Sequence, residues 1–245
     1  MDLKLTGQKA LITGANRGIG LAVAHALQRE GVALAAHYHS DPGGLNALEN
    51  CTLLQADFRQ LGQAGRLVTQ AVNALGGLDL LINNAGHMLG RVPLNDIDDA
   101  KFDAVVNLNA RAVIDACQAA LPALRQSRGS IINVSSISAR TGGSPGSLLY
   151  SGAKAFVSSV TRSLATELAA DGIRVNAVSP GTVLTRFHEI YSSPEKLAAT
   201  AAKTPLKRNA EPDDCTGAFL FLASPALAGY ITGQIIEVNG GALMP

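Results

Sequence analysis

Tyr150 and Lys154 stand four positions apart in the stretch Tyr150-Ser151-Gly152-Ala153-Lys154. On a helix, residues i and i+4 lie one above the other on the same face, so the two polar tips would be presented together. A phenol that titrates near ~10 is a poor proton shuttle at neutral pH. An ammonium group beside it favours the phenolate, so the spacing predicts a tyrosine of lowered pKa acting as a general acid/base. The same spacing also occurs on solvated helix faces, so the pair needs support from the rest of the chain.

That support begins near the N-terminus. The residues Gly14-Ala15-Asn16-Arg17-Gly18-Ile19-Gly20 follow an apolar run, Gln8 to Thr13, and precede a helical pattern, Leu21 to Arg29, that stops at Gly31. Val32 to His37 reads as a second strand. Strand, glycine-rich turn, helix and strand make the unit that binds dinucleotides. Gly14 permits the tight turn, Gly18 lets backbone approach a pyrophosphate, and Gly20 allows close helix–strand packing, while the helix start favours phosphate.

Charge then selects the dinucleotide. An NAD site usually places a carboxylate at the end of the second strand to bind the ribose 2′-OH. Here that position reads His37-Tyr38-His39-Ser40, with no acid before Asp41, and Arg17 lies in the phosphate loop. Arg17, His39 and Ser40 can hold a 2′-phosphate by charge and hydrogen bonds. The expectation is NADP(H).

The elements that must position these groups alternate along the whole chain. Cys51 to Ala56 is a third strand, ending at Asp57, where adenine would lie. Helix Gln60–Leu75 breaks at Gly76-Gly77, and strand Leu78–Ile82 runs into Asn83-Asn84-Ala85-Gly86. The two short amides are suited to tying neighbouring strands together, and Gly86 keeps a path open beside a bound ribose. A long helix, Ala104–Leu124, carries Asn107 and Asn109 at a cost in propensity that suggests a job for one of them. Strand Ser130–Val134 leads to Ser135-Ser136. A loop through Arg140 to Gly146 precedes the helix from Tyr150 to Ala170, and strand Ile173–Val178 precedes Pro180-Gly181. The segment 183–209 has the length of a substrate lid with some helix. Helix Asp213–Ala223 and strand Gln234–Val238 complete the alternation. The fold class is α/β: one Rossmann-type doubly wound domain spanning 1–245, about seven mostly parallel strands, helices on both faces, and ligands beyond the strand carboxyl ends.

Composition narrows the function classes. Of 245 residues, 47% are hydrophobic and 16% charged, with a net charge of +1. No basic block points to nucleic acid or a membrane surface, and no apolar run has the length of a span or signal core. Three distant cysteines make no disulfide framework and suit a cytoplasmic protein. The five histidines lack metal-ligand spacing apart from His37-x-His39, which reads as a strand end; no metal is expected.

Taken together, these motifs resemble the short-chain dehydrogenase/reductase family over nearly the whole length. The matching residues are Thr13-Gly14-x-x-x-Gly18-x-Gly20, Asp57, Asn83-Asn84-Ala85-Gly86, Asn109, Ser136, Tyr150-x-x-x-Lys154, Asn176-x-x-x-Pro180-Gly181, Gly233 and Asn239-Gly240-Gly241. The resemblance implies a catalytic tetrad of Asn109, Ser136, Tyr150 and Lys154. Tyr150 would exchange a proton with a ketone or alcohol oxygen, Ser136 would orient that oxygen, Lys154 would lower the Tyr150 pKa and bind the nicotinamide ribose, and Asn109 would anchor a water-linked relay. It also implies cofactor contacts from Asn16, Ile19, Tyr38, Phe58, Asn84, Ala85, Gly86, Pro180, Gly181, Val183 and Thr185, besides Tyr150 and Lys154. Relatives are commonly homotetramers, or homodimers, built through the two long helices.

The nearest familiar members are 3-oxoacyl reductases, followed by sugar and polyol dehydrogenases. In carrier-dependent members, arginines dock the acidic carrier at positions matching Ser127 and Asp171, neither of which is basic; Arg125 and Arg128 lie nearby. The Ser136–Tyr150 interval is one residue longer than is common. Arg140, His87, Arg186 and His188 are candidates for a polar or anionic substrate, or are solvated loop residues. The expected activity is NADP(H)-dependent interconversion of a carbonyl and a secondary alcohol on a small substrate. The alternatives are an NAD-dependent sugar or polyol dehydrogenase, a sugar-nucleotide epimerase or dehydratase, and a catalytically silent dinucleotide-binding regulator.

Overall fold

Strands that must be covered on both faces show no polar/apolar alternation, and the strands of this chain are of that kind. A computed structural model describes residues 2–244; Met1 and Pro245, the ends of the expected domain, lie outside the described residues. Seven strands form one wholly parallel sheet, where a mostly parallel one was expected: β1 (Lys9–Ile12), β2 (Ala33–Tyr38), β3 (Cys51–Gln55), β4 (Leu80–Asn83), β5 (Ser130–Val134), β6 (Arg174–Pro180) and β7 (Ile235–Val238). Their order is β3-β2-β1-β4-β5-β6-β7. The chain runs outward from β1 to β3 and then returns to lay β4 on the other side of β1, so the topological switch point lies between β1 and β4.

Successive side chains of each strand feed opposite faces. Ile12, Ala36, Ile82 and Val134 join a core cluster closed by α1 (Gly18–Arg29) and, later in the chain, α9 (Asp213–Ala223). Leu11, Ala35, Leu81 and Ile131 join a second cluster closed by α2 (Gln63–Leu75), α4 (Ala112–Ser127) and α6 (Leu148–Leu168).

Two elements differ from expectation. The helix expected over Ala104–Leu124 is α3 (Asp99–Val106) and α4 joined by a π-helical turn at Asn107–Arg111. Asn109 lies within this turn, and its side chain donates to the Val105 carbonyl at 2.8 Å. The expected loop after Ser136 starts as a short helix, α5 (Ser138–Thr141). Within 183–209 lie α7 (Arg186–Tyr191) and α8 (Pro194–Lys203), and a short α10 (Pro225–Ala228) follows α9. No helix among the described residues is long and apolar enough to cross a membrane.

Candidate active site

The carboxyl ends of β1, β2, β4, β5 and β6 open into one cavity of about 640 Å³. Its floor is the switch point. Gly14 takes φ +63°, and a Cβ there would fall 2.9 Å from the Ala85 Cα. A Cβ on Gly20 would fall 2.4 Å from the Gly14 carbonyl oxygen, so the start of α1 lies directly on the β1 turn. The Asn84 amide bonds both the Thr13 and Gly14 carbonyls, at 2.9 and 2.8 Å. Asn83 bonds Asn133 of β5 at 2.9 Å, so the two amides do tie neighbouring strands together. No side chain caps α1, whose first residues Gly18, Ile19 and Gly20 line the cavity with Asn16 and Arg17. Free N–H groups at a helix start, facing an open cavity, suit a phosphate group.

Beside this turn the end of β2 is held by His37, which is 3% exposed. Its Nδ1 accepts the Gly14 N–H at 3.0 Å, so its Nε2 carries the proton and donates to the Ala56 carbonyl at 3.1 Å. The ring stacks on Phe58 with centroids 4.1 Å apart, and burial pushes its pKa down to about 4. This neutral ring joins the ends of β1, β2 and β3. Alternation then puts Tyr38 on the opposite face, against the α1-side core and away from the cavity. The expected cofactor contact Tyr38 is thus corrected: side chains alternate along the strand end, so the face that carries His39 also carries His37.

His39, Ser40, Asp57 and Phe58 do line the cavity, and with them Arg59, which the sequence reading missed. Arg59 donates Nε to Asp57 at 2.9 Å and Nη2 at 2.7 Å, and it approaches His39 Nε2 at 3.3 Å. The guanidinium holds the Asp57 carboxyl at about 2. Arg17 lies 4.0 Å from Asp41. This end therefore gathers two arginines, His39 and Ser40 around one wall.

At the other end stand Tyr150 and Lys154 on α6 and Ser136 just beyond β5. Lys154 is 3% exposed and donates to the Val134 carbonyl at 2.7 Å, with its Nζ 5.7 Å from the centre of the Tyr150 ring. Asn109 is fully buried; its amide donates to the His87 carbonyl at 2.9 Å and its oxygen accepts the His87 N–H at 3.0 Å. Gly86 makes room between them, since a Cβ there would fall 2.9 Å from Asn109 Oδ1 and 3.0 Å from Lys154 Nζ. The other amide of the turn, Asn107, bonds the Arg59 carbonyl. Ala85, Pro180, Gly181, Val183 and Thr185 also line the cavity.

The electrostatics correct one expectation. Burial raises the Tyr150 pKa to about 12, partly offset by the Ser136 hydroxyl, and burial lowers Lys154 to about 8. Lys154 donates to the Val134 carbonyl with its Nζ 5.7 Å from the Tyr150 ring centre, and desolvation dominates the Tyr150 shift. Tyr150 is a neutral phenol at pH 7.

Over this end lie α7 and α8. Phe187 packs against Tyr150 at 5.4 Å and Tyr191 at 5.0 Å between ring centroids. The Tyr191 hydroxyl accepts the Gly90 N–H and meets His87 Nδ1 at 3.2 Å. Of the residues named for substrate, His87, Arg186 and His188 line the cavity, whereas Arg140 does not and is exposed. Among the described residues no three His, Cys, Asp or Glu side chains converge as a metal site.

Comparison with known proteins decides the family. A family model described as "Enoyl-(Acyl carrier protein) reductase" matches residues 14–242. An uncharacterised oxidoreductase of Methylorubrum extorquens is 38% identical over 97% of this chain and 98% of its own length. The chain belongs to the short-chain dehydrogenase/reductase family. Other members are similar over their whole length. The 3-oxoacyl-[acyl-carrier-protein] reductase FabG of Staphylococcus aureus is 36% identical over 99% of this chain and all of its own. The crystal structure of NADH-dependent reductase A1-R′ complexed with NAD superposes with a TM-score of 0.88 at 35% identity, covering both chains entirely. The chain is accordingly a short-chain oxidoreductase for a nicotinamide dinucleotide.

Proposed function

We propose that this chain is an NADP(H)-dependent oxidoreductase that interconverts a carbonyl and a secondary alcohol on a small molecule, with Tyr150 as the proton-transferring residue. One observation carries the reading: a neutral phenol beside the Ser136 hydroxyl stands in the same cavity as an uncapped helix start cradled by Gly14, Gly18 and Gly20. The dinucleotide, when bound, supplies or accepts the hydride. Tyr150 gives its hydroxyl proton to the carbonyl oxygen in reduction and takes one back in oxidation, and Ser136 holds that oxygen by a hydrogen bond. Lys154 and Asn109 fix the wall behind Tyr150, and Lys154, which lines the cavity beside Gly86, would hold the nicotinamide ribose. Val183 and Thr185, after Pro180-Gly181, fit the carboxamide. Segment 183–209 serves as the lid, with Phe187 closing over Tyr150.

The preference for the 2′-phosphorylated cofactor is supported by the wall of Arg17, Arg59, His39 and Ser40, which contains no carboxylate free of an arginine: Asp57 is held by Arg59 and Asp41 faces Arg17. An NAD-dependent reading is favoured by the NAD-complexed reductase of like fold. Rates with NADPH and NADH over a panel of ketones, oxo acids, sugars, polyols and 3-oxoacyl thioesters test both. NADPH binding without oxidation of any substrate would favour a catalytically silent regulator instead.

A carrier-bound substrate is disfavoured because Arg125, a possible carrier contact, is paired with Asp171 at 2.8 Å. We further propose a cytoplasmic homotetramer; Phe102, Leu148 and Phe156 on α3 and α6 remain exposed and suit association through these helices.

A further inference from the structure

Two cations face the tyrosine end of the cavity with no acid to answer them. Arg91 donates Nη1 to the Pro145 carbonyl at 3.0 Å and Nη2 to the Tyr191 carbonyl at 3.2 Å, so its guanidinium is fixed where the 91, 145 and 191 segments meet. Lys196, on α8, donates to the Ser144 hydroxyl at 3.1 Å. Both line the cavity, as does Arg186. The six ion pairs among the described residues all lie elsewhere. The cavity wall holds a single carboxylate, Asp57, at the far end and locked to Arg59. Glu189 and Glu195, on the same two helices as Arg186 and Lys196, are exposed and not part of the wall.

The two cations act on each other and on their neighbours. Lys196 is pushed down by desolvation and then by Arg91, and His188 is pushed down by burial and then by Lys196 and Arg91. Like charges held within each other's field, each anchored only to neutral oxygens, are a standing cost that an anion removes. His87 is also pushed down, chiefly by burial, leaving two neutral imidazoles as hydrogen-bonding partners in the same wall.

We propose that the substrate carries a carboxylate distal to its carbonyl, held by Arg91 and Lys196. The inference rests on the carbonyl–alcohol reading above and deepens it: the substrate class is an oxo acid, with the corresponding hydroxy acid as product. A fixed guanidinium suits the planar anion, and a flexible ammonium on the lid helix adds charge as the lid settles.

The experiment compares 3-oxobutanoate, 4-oxopentanoate and 5-oxogluconate, each against its primary amide, together with the neutral N-acetylcysteamine thioester of 3-oxobutanoate as a carrier mimic. For each pair the ratio of kcat/KM, acid over amide, is measured in the unmodified protein, Arg91→Gln and Lys196→Gln. Isothermal titration of 4-oxopentanoate and its amide into protein saturated with oxidised cofactor supplies a readout without turnover. At least one acid should be preferred about tenfold or more over its amide, and each substitution should lower that ratio about tenfold through KM. Lys196→Gln carries the test alone if Arg91→Gln does not fold. Turnover with ratios near one in the unmodified protein, preference for the thioester, or ratios untouched by Lys196→Gln would overturn the inference while leaving the carbonyl–alcohol reading standing. Cation-dependent binding of the acid without any turnover would do the reverse. No preferential binding and no turnover would overturn both.

Discussion

Lys154 donates its ammonium proton to the Val134 carbonyl at 2.7 Å, an ion buried against a neutral oxygen with no carboxylate partner. The lysine pKa falls from 10.5 to about 8 in the fold. Below pH 8 both folded and unfolded chains hold this proton, and the folded state carries the full cost of burying it. Between about 8 and 10.5 the unfolded chain binds more protons, so this group's contribution to stability rises with pH. Lys154→Met should therefore be more stable than the parent at pH 7 without cofactor, by about 1–3 kcal/mol after allowing for the lost hydrogen bond. The difference should shrink steadily from pH 8 to 10. Denaturant titrations of the two proteins across this range check both statements, and turnover should be lost in the variant.

The dinucleotide end predicts a separable effect. Arg17→Ala and Arg59→Ala should each lower the NADPH-over-NADH ratio of kcat/KM by about ten- to a hundredfold, the range of one charge-assisted contact to phosphate. Arg59→Ala should in addition release the Asp57 carboxyl from about 2 toward the ordinary range. An unmodified protein that prefers NADH would contradict the assigned role of this wall.

Gly86 predicts a steric effect. Its φ is not in the left-handed region, so Gly86→Ala is conformationally permitted, but the added methyl meets Asn109 Oδ1 and Lys154 Nζ at about van der Waals overlap. The expected result is a fall in kcat of about tenfold or more with a loss of stability of about 1–3 kcal/mol, measured by steady-state kinetics and thermal unfolding.

Much of this arrangement is legible in the sequence because its signals are local. The glycine turn lies between a strand and a helix, Tyr150 and Lys154 share one helix face, and Ser136 follows an apolar strand. Asn109 was noticeable as an amide in a helical pattern, although the π-turn that explains it was not. What escaped depends on contacts across the fold. Arg59 meets His39 only because β3 lies beside β2, and Arg91 and Lys196 converge only because the 145 loop and α8 cover the same opening. Tyr38 is expected at the cofactor but packs on the opposite face from His37 and His39, because which face of the sheet meets the cavity is set by the whole fold. The sign of the Tyr150 shift was misread for a related reason: spacing reports a nearby ammonium, but burial, which outweighs it here, is a property of the whole fold.

The raised Tyr150 pKa has its own kinetic consequence. A neutral phenol is the donor that reduction requires, so kcat for carbonyl reduction should not fall between pH 6 and 9 through loss of this proton. Alcohol oxidation requires an acceptor and should rise with pH over the same interval. Opposed pH–rate profiles for the two directions are expected, and a reduction rate that falls with an apparent pKa near 7 would contradict the assignment.

The most direct test of the central claim is Tyr150→Phe, which removes one oxygen and leaves the ring against Phe187. Turnover measured by NADPH oxidation with the best carbonyl substrate should drop by about a thousandfold or more, while the cofactor Kd measured by fluorescence titration changes by less than about threefold. Turnover within tenfold of the parent would contradict the role of Tyr150 as the proton donor.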